Sequence, residues 1–237
     1  MEDHLSPSFA NALREFGGYK ILFIQDEYDT TETARRWIER LGVHAIFTCV
    51  PEEYVDRVYP KSRFPKLERI HTLTGFVSMD LEHRKLSPIS EREIVLAYRG
   101  RALPFYYGDL GREKLEIAQR MKQICRERGI PEDIEWSHEK RIYGEEWYSF
   151  VASSKATLGT ESGSNVFDDD GEIKKNVESA LARDPSLSYE EIHARYIDER
   201  EGKIKMNQIS PRVFEAIALQ TALVLYEGKY SGIIQPD

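Results

Sequence analysis

The chain has 237 residues, of which 41% are hydrophobic and 31% are charged, and this composition predicts an ordinary globular protein with one large or two modest domains. Its formal net charge of −8 argues against a general nucleic-acid binder, because such domains usually carry a basic surface. Any phosphate site must therefore be local. We expect neither a membrane span nor a leader, and we expect Cys49 and Cys125 to be buried thiols. Together these expectations predict a cytoplasmic protein, either free or in peripheral contact with a membrane.

The first half of the chain alternates between predicted strands and helices. A helix is predicted over 8–16 and a strand over 19–25. A helix capped by Thr30 or Thr31 follows, and after it come a strand over 43–50, a short helix over 51–59 and a strand over 70–77. Gly42 is expected to end the second helix in the left-handed conformation. This β-α-β-α-β order predicts a parallel Rossmann-like sheet.

Two carboxylates, Asp26 and Glu27, follow the first strand directly. Ligands of open α/β sheets bind at the carboxyl ends of strands, so one of the two could contact an acceptor or act as its base. The alternative is that they only cap the next helix. A phosphorylated receiver domain opens in a similar way, but its acceptor aspartate ends a third strand, whereas the candidate Asp56 falls in a predicted helix.

The polar segment 81–90 contains a proline and has no clean hydrophobic period, which makes it the predicted domain boundary. We therefore expect an N-terminal domain over 1–85 and a C-terminal domain over 86–237. The charged, helical stretch 172–205 is expected to be an insertion in the second domain. In this stretch Ser188 and Glu191 have the spacing of a capping box.

A diphosphate site is predicted where the first strand of the second domain, over 93–98, passes through a loop into a helix. Gly100 gives room for close backbone approach, and Arg101 and Lys114 can bring two cations to the same point. The alternative is a pair of surface charges around an ordinary βα loop.

A second loop follows the predicted strand 156–159 and contains Glu161, Ser162 and Gly163. Small and hydroxylated residues at a strand end can bind an anion or a sugar, with Glu161 contacting a hydroxyl. Further on, Asp168 and Asp170 form an Asp-x-Asp, a pattern that can hold a divalent metal. Since it precedes a glycine and a charged helix, we favour a solvated turn.

Near the C-terminus, Ser210 and Pro211 predict a helix start, because serine caps orphan amides and proline has none to offer. The helix carries Arg212 and Glu215 and leads into a buried strand over 221–225. Such a start can hold a phosphate while the glutamate binds sugar hydroxyls.

The Arg212-x-Phe214-Glu215-Ala216 segment, together with Gly100, Arg101 and Lys114, resembles the donor-binding domain of two-Rossmann-domain (GT-B) glycosyltransferases of the group-one or spore-maturation (CgeB-like) type. The resemblance implies an α/β fold of two Rossmann-like parallel-sheet units facing a cleft, here as a fragment with a partial N-terminal domain. It also implies transfer of a sugar from a nucleoside diphosphate to a hydroxyl acceptor in polysaccharide or cell-surface glycan synthesis. No cofactor and no essential metal are expected.

One position departs from that family. Its paired-glutamate motif has two glutamates eight positions apart, and the residue eight before Glu215 is Asn207, which can hydrogen-bond a sugar but cannot act as a carboxylate. Donor binding is therefore better supported than a retaining mechanism. A sugar-nucleotide epimerase and a non-catalytic nucleotide-sugar-binding module are the alternatives.

Overall fold

In the computed structural model, which describes residues 5–81 and 83–235, the chain forms two units. Unit 1 consists of Met1–Leu73 and Gly163–Met206, and unit 2 consists of Thr74–Ser162 and Asn207–Asp237. The chain therefore passes from unit 1 to unit 2, returns to unit 1 and ends in unit 2.

This division differs from the predicted boundary between 85 and 86. The helical stretch 172–205 belongs to unit 1 rather than to the second domain, and tertiary contacts explain why. Tyr28 accepts a backbone hydrogen bond from Asp168, and Arg35 forms an ion pair of 2.8 Å with Asp169. These partners are far apart in sequence, so no local pattern indicates them. In the predicted linker, Glu82 lies outside the described residues.

Unit 1 is built on a three-stranded parallel sheet in the order β1-β2-β3. Its elements are α1 (Pro7–Glu15), β1 (Ile21–Ile24), α2 (Thr31–Leu41), β2 (Ala45–Thr48), α3 (Glu52–Val58) and β3 (Glu68–His71). Helix α2 buries Ala34, Trp37 and Ile38 on one face, as their spacing predicts, and ends at Gly42 with φ of 64°. The predicted β-α-β-α-β order is confirmed.

The second segment of unit 1, residues 163–206, contributes two helices, α6 (Glu172–Arg183) and α7 (Tyr189–Tyr196). The elements of unit 2 that precede them in the chain are β4 (Ile94–Arg99), α4 (Gly108–Arg128), β5 (Glu132–Glu135), α5 (Gly144–Ala152) and β6 (Ser154–Gly159). The elements of unit 2 that follow them are α8 (Pro211–Ala218) and β7 (Ala222–Leu225). The Ser188–Glu191 capping box at the start of α7 is confirmed, with both reciprocal hydrogen bonds present.

Unit 2 contains a four-stranded parallel sheet in the order β5-β4-β6-β7. One face packs on α4, where Leu96, Tyr98 and Ile117 are buried together. The other face packs on α5 and α8 through Phe150 and Ala216. A parallel sheet covered by helices on both faces is Rossmann-like in architecture, which confirms the predicted α/β class.

The starts and ends of the helices in unit 2 follow the sequence closely. Ser210 caps α8 with Pro211 at the first helical position, and Gly129 ends α4 with φ of 63°. None of the helices within 5–81 and 83–235 combines the length and the apolar character needed to cross a membrane.

A buried arginine joins several segments of unit 2. The Arg92 residue is 4% exposed and donates to the carbonyl oxygens of Ser154 at 2.9 Å and Leu219 at 3.2 Å and to the hydroxyl of Thr221 at 2.9 Å. It also donates to the carbonyl of Ser87. All these acceptors are neutral, so Arg92 supplies hydrogen bonds to oxygen atoms at the ends of segments that the sheet does not pair.

We predict that Arg92→Met lowers the free energy of unfolding by about 3 kcal/mol, because it leaves buried carbonyl groups without a donor. Urea unfolding measures the change. The matched control is Arg120→Met on the exposed side of α4, which is expected to change stability by less than about 0.5 kcal/mol. Equal effects of the two substitutions would contradict the joining role of Arg92.

Candidate functional site

A cavity of about 370 Å³ lies at the carboxyl ends of the unit 2 strands. It is lined by Gly100 and Arg101 after β4, by Thr160 and Ser162 after β6, and by Leu225 at the end of β7. Because β5 and β6 lie on opposite sides of β4, the chain changes direction across the sheet at this point. Open α/β sheets bind ligands at such a switch point, so the topology makes this cavity the candidate site.

The lining of the cavity is strongly cationic. The five basic residues that line it are Arg99, Arg101, Lys114, Arg141 and Arg212. Among the described residues, no aspartate or glutamate lines the cavity. The charge of Arg99 is balanced by an ion pair of 2.8 Å with Asp133, whereas Arg101, Arg141 and Arg212 have no such carboxylate partner in the described part of the chain. Uncompensated like charges at one point favour binding of an anion.

Arg212 is held in place although its charge is not paired. Its guanidinium donates to the carbonyl of Arg99 and lies 5.0 Å from the centre of the Trp147 ring. A cation over an indole face gains a favourable electrostatic contact without losing its charge. The side chain is thus fixed at the cavity and still available to an anionic ligand.

Gly100 and Lys114 are linked through Tyr98. A β-carbon at position 100 would lie 2.5 Å from the Tyr98 ring, so glycine is needed there for the ring to fit. The Tyr98 hydroxyl donates to the Lys114 carbonyl at 3.0 Å and ties the turn of α4 that carries Lys114 to the end of β4. The Tyr98 ring thus fills the space beside Gly100, and close approach of a diphosphate to the Gly100 backbone stays a prediction.

The lining residues that were not predicted as site residues include Arg141, Tyr143 and Trp147. Arg141 and Tyr143 follow β5 in the loop that leads to α5, and Trp147 lies on α5. The sequence could have indicated Arg141 and Tyr143, because residues that follow neighbouring strands of a parallel sheet lie at the same edge of that sheet.

Glu161 and Asn207 do not line the cavity. Glu161 is 4% exposed, and one carboxylate oxygen accepts from the backbone of Lys229 at 2.7 Å and of Tyr230 at 2.6 Å. The other oxygen accepts from the side-chain amide of Asn207. These contacts hold the turn after β7 against the loop after β6, so the structure gives Glu161 internal partners in place of the predicted sugar hydroxyl.

Glu215 and Gly163 also lie outside the cavity lining. Glu215 accepts a hydrogen bond of 2.7 Å from the indole nitrogen of Trp147, so its contact is with a lining residue. Gly163, with φ of 89°, begins the segment that belongs to unit 1. Of the predicted donor-binding set, the structure brings together Gly100, Arg101, Lys114, Ser162 and Arg212.

The predicted catalytic residues Asp26 and Glu27 belong to unit 1. Asp26 is exposed, has φ of 60° and accepts from the Tyr28 hydroxyl at 2.6 Å. Glu27 is 1% exposed and accepts from the Thr48 hydroxyl, while its second oxygen has no partner among the described residues. The Glu27 carboxyl is thus enclosed within unit 1, and the role of Asp26 or Glu27 as a catalytic base stays a prediction.

The carboxylates of the Asp-x-Asp segment accept hydrogen bonds from the first backbone N–H groups of α6. Asp168 is 8% exposed and accepts from the backbone of Ile173 at 3.1 Å and of Lys174 at 2.9 Å. Asp170 accepts from the backbone of Glu172. These carboxylates cap a helix, so Asp168 is a buried cap rather than part of the solvated turn that we expected.

The chain matches no protein-family model, and neither a curated protein nor a solved structure matches it. The resemblance to the GT-B glycosyltransferases therefore depends on Gly100, Arg101, Lys114 and the segment 212–216.

Burial raises the pKa of Glu27 to about 7, with the neighbouring Asp26 charge acting in the same direction and the Thr48 hydroxyl opposing it. A carboxyl whose folded pKa is raised stabilises the fold fully below its unfolded pKa of about 4.5 and loses that contribution as pH rises towards 7. We predict that wild type loses about 2 kcal/mol more stability than Glu27→Gln between pH 5 and pH 8.

Urea unfolding of both proteins at the two pH values measures this difference. The comparison with the variant removes the contribution of other titrating groups. Parallel stability profiles of wild type and Glu27→Gln would show that Glu27 is ionised in the folded protein at neutral pH.

Proposed function

We propose that the chain is a glycosyltransferase that binds a nucleoside-diphosphate sugar in the cationic cavity of unit 2 and transfers the sugar to a hydroxyl acceptor. The observation that carries the proposal is the convergence of Arg101, Lys114 and Arg212 on one cavity that no described carboxylate lines, at the switch point of a parallel sheet. A diphosphate supplies the neighbouring negative charges that such a cluster of cations stabilises.

The same cations would act on the reaction itself. Cleavage of the sugar–phosphate bond leaves negative charge on the departing diphosphate, and fixed positive groups lower the free energy of that charge in the transition state. Arg212, held by the Arg99 carbonyl and the Trp147 ring, needs little reorganisation for this role. Positioning and charge stabilisation, rather than a covalent step, would supply most of the rate. Two units facing a common cleft remain a prediction of the family resemblance. A cytoplasmic location and a peripheral membrane contact remain predictions from the sequence.

A non-catalytic nucleotide-sugar-binding module is the second candidate. It is favoured by two observations: no described carboxylate lines the cavity, and Asn207, which replaces the acid of the paired-glutamate motif, donates to Glu161. Such a module would bind the same ligands but would never release a nucleoside diphosphate from them.

We predict that at least one common nucleotide sugar raises the melting temperature of the protein and binds in a calorimetric titration, because a ligand of the native state stabilises it. Arg101→Ala and Arg212→Ala are each expected to weaken that binding by roughly tenfold or more, the loss of one charge-assisted contact. Arg128→Ala, at the other end of α4 and exposed, is the charge-matched control and should bind as wild type does. The site assignment would fail if Arg101→Ala and Arg212→Ala also bound every tested nucleotide sugar as wild type does.

Turnover separates the two candidates. The transferase is expected to release nucleoside diphosphate from the bound sugar nucleotide when a panel of hydroxyl acceptors is present, and the release should fall with Arg212→Ala. Binding without release for every acceptor would favour the non-catalytic module, and conversion of the donor to another sugar nucleotide without acceptor would indicate an epimerase.

A further inference from the structure

Helix α8 carries a cation and an anion at positions that normally pair. Arg212 and Glu215 are three residues apart, a spacing at which opposite charges on a helix are neighbours and commonly form an ion pair. Within the described part of the chain, no ion pair joins these two side chains. The helix therefore presents an arginine charge without a carboxylate partner beside an acid that could neutralise it.

Trp147, rather than Arg212, contacts the Glu215 carboxylate. The indole nitrogen donates to Glu215 at 2.7 Å, while the face of the same ring carries the Arg212 guanidinium 5.0 Å from its centre. Arg212 in turn donates to the Arg99 carbonyl. One tryptophan thus contacts both charged groups at different parts of its ring.

We propose that Trp147 is a positioning residue of the anion site: its N–H group holds Glu215 away from Arg212, so that the arginine charge stays available to a phosphate group of the ligand. This inference rests on the proposed function, because it concerns the same cavity. It also explains why Glu215 lies outside the cavity lining although Arg212, one turn earlier on α8, is part of it.

The decisive variant is Trp147→Phe, which keeps an aromatic face for the guanidinium and removes the N–H donor. The freed carboxylate is expected to pair with Arg212 and to weaken binding of inorganic pyrophosphate, measured by calorimetry, about twofold, the size expected for an ion pair on a helix surface that competes with the ligand. The double variant Trp147→Phe with Glu215→Gln should bind as tightly as Glu215→Gln alone, because an amide cannot neutralise the arginine.

Two controls separate this effect from lost packing and from altered net charge. Trp136→Phe removes an indole of unit 2 that does not line the cavity and should leave pyrophosphate affinity unchanged. Glu145→Gln removes an exposed acid of α5 whose carboxylate pairs with Arg84, and it should not rescue Trp147→Phe. If Glu215→Gln also failed to rescue, the role of Trp147 would be packing alone and the inference would be wrong.

A ligand-free measurement keeps the test independent of the proposed function. A crystal structure of Trp147→Phe is expected to show Arg212 and Glu215 nitrogen and oxygen atoms within about 4 Å of each other, the distance of an ion pair. Their continued separation in that variant would overturn the inference whatever the affinity of wild type. Wild type that bound neither pyrophosphate nor any nucleotide sugar would instead overturn the proposed function.

Discussion

The cavity in unit 2 depends on one topological constraint, namely that β5 and β6 lie on opposite sides of β4 in the sheet. The loops after β4 and β5 therefore run in opposite directions across the sheet, and an opening remains between them at the carboxyl ends of the strands. Every feature of the site uses that opening. Arg101 follows β4, Ser162 follows β6, and α8 brings Arg212 to the same edge.

Charge is distributed unevenly in this acidic chain. The net charge is −8, yet the cavity of unit 2 is lined by five basic residues and by no described acid. Carboxylates near this edge have internal partners: Asp133 pairs with Arg99, Glu161 accepts from backbone amides, and Glu215 accepts from Trp147. Each of these neighbouring acids thus has a donor other than the cavity arginines Arg101, Arg141 and Arg212.

The sequence predicted elements whose signals are local. Ser210 with Pro211, Ser188 with Glu191, and the glycines at 42 and 129 determine helix ends through contacts within a few residues, and all are confirmed. The placement of Arg101 and Arg212 at one cavity was also predictable, because strand ends in a parallel sheet share an edge.

Partners of individual carboxylates were not predictable in the same way. Glu161 and Glu215 were expected to bind sugar hydroxyls, but their donors, such as Lys229 and Trp147, are about 68 positions away in sequence. The division into units differs from the predicted boundary for a related reason: residues 163–206 follow unit 2 in sequence but pack with unit 1 through contacts such as Arg35 to Asp169. Such choices depend on the three-dimensional neighbourhood, which local periodicity does not contain.

The interleaved path of the chain has a consequence for biosynthesis. Because unit 1 is completed only by residues 163–206 and unit 2 only by residues 207–237, neither unit can finish folding when its first segment leaves the ribosome. Strands β1 to β3 must wait, with part of their apolar surface uncovered, while the whole first segment of unit 2 is synthesised. The nascent chain therefore passes through an intermediate in which unit 1 still lacks α6 and α7.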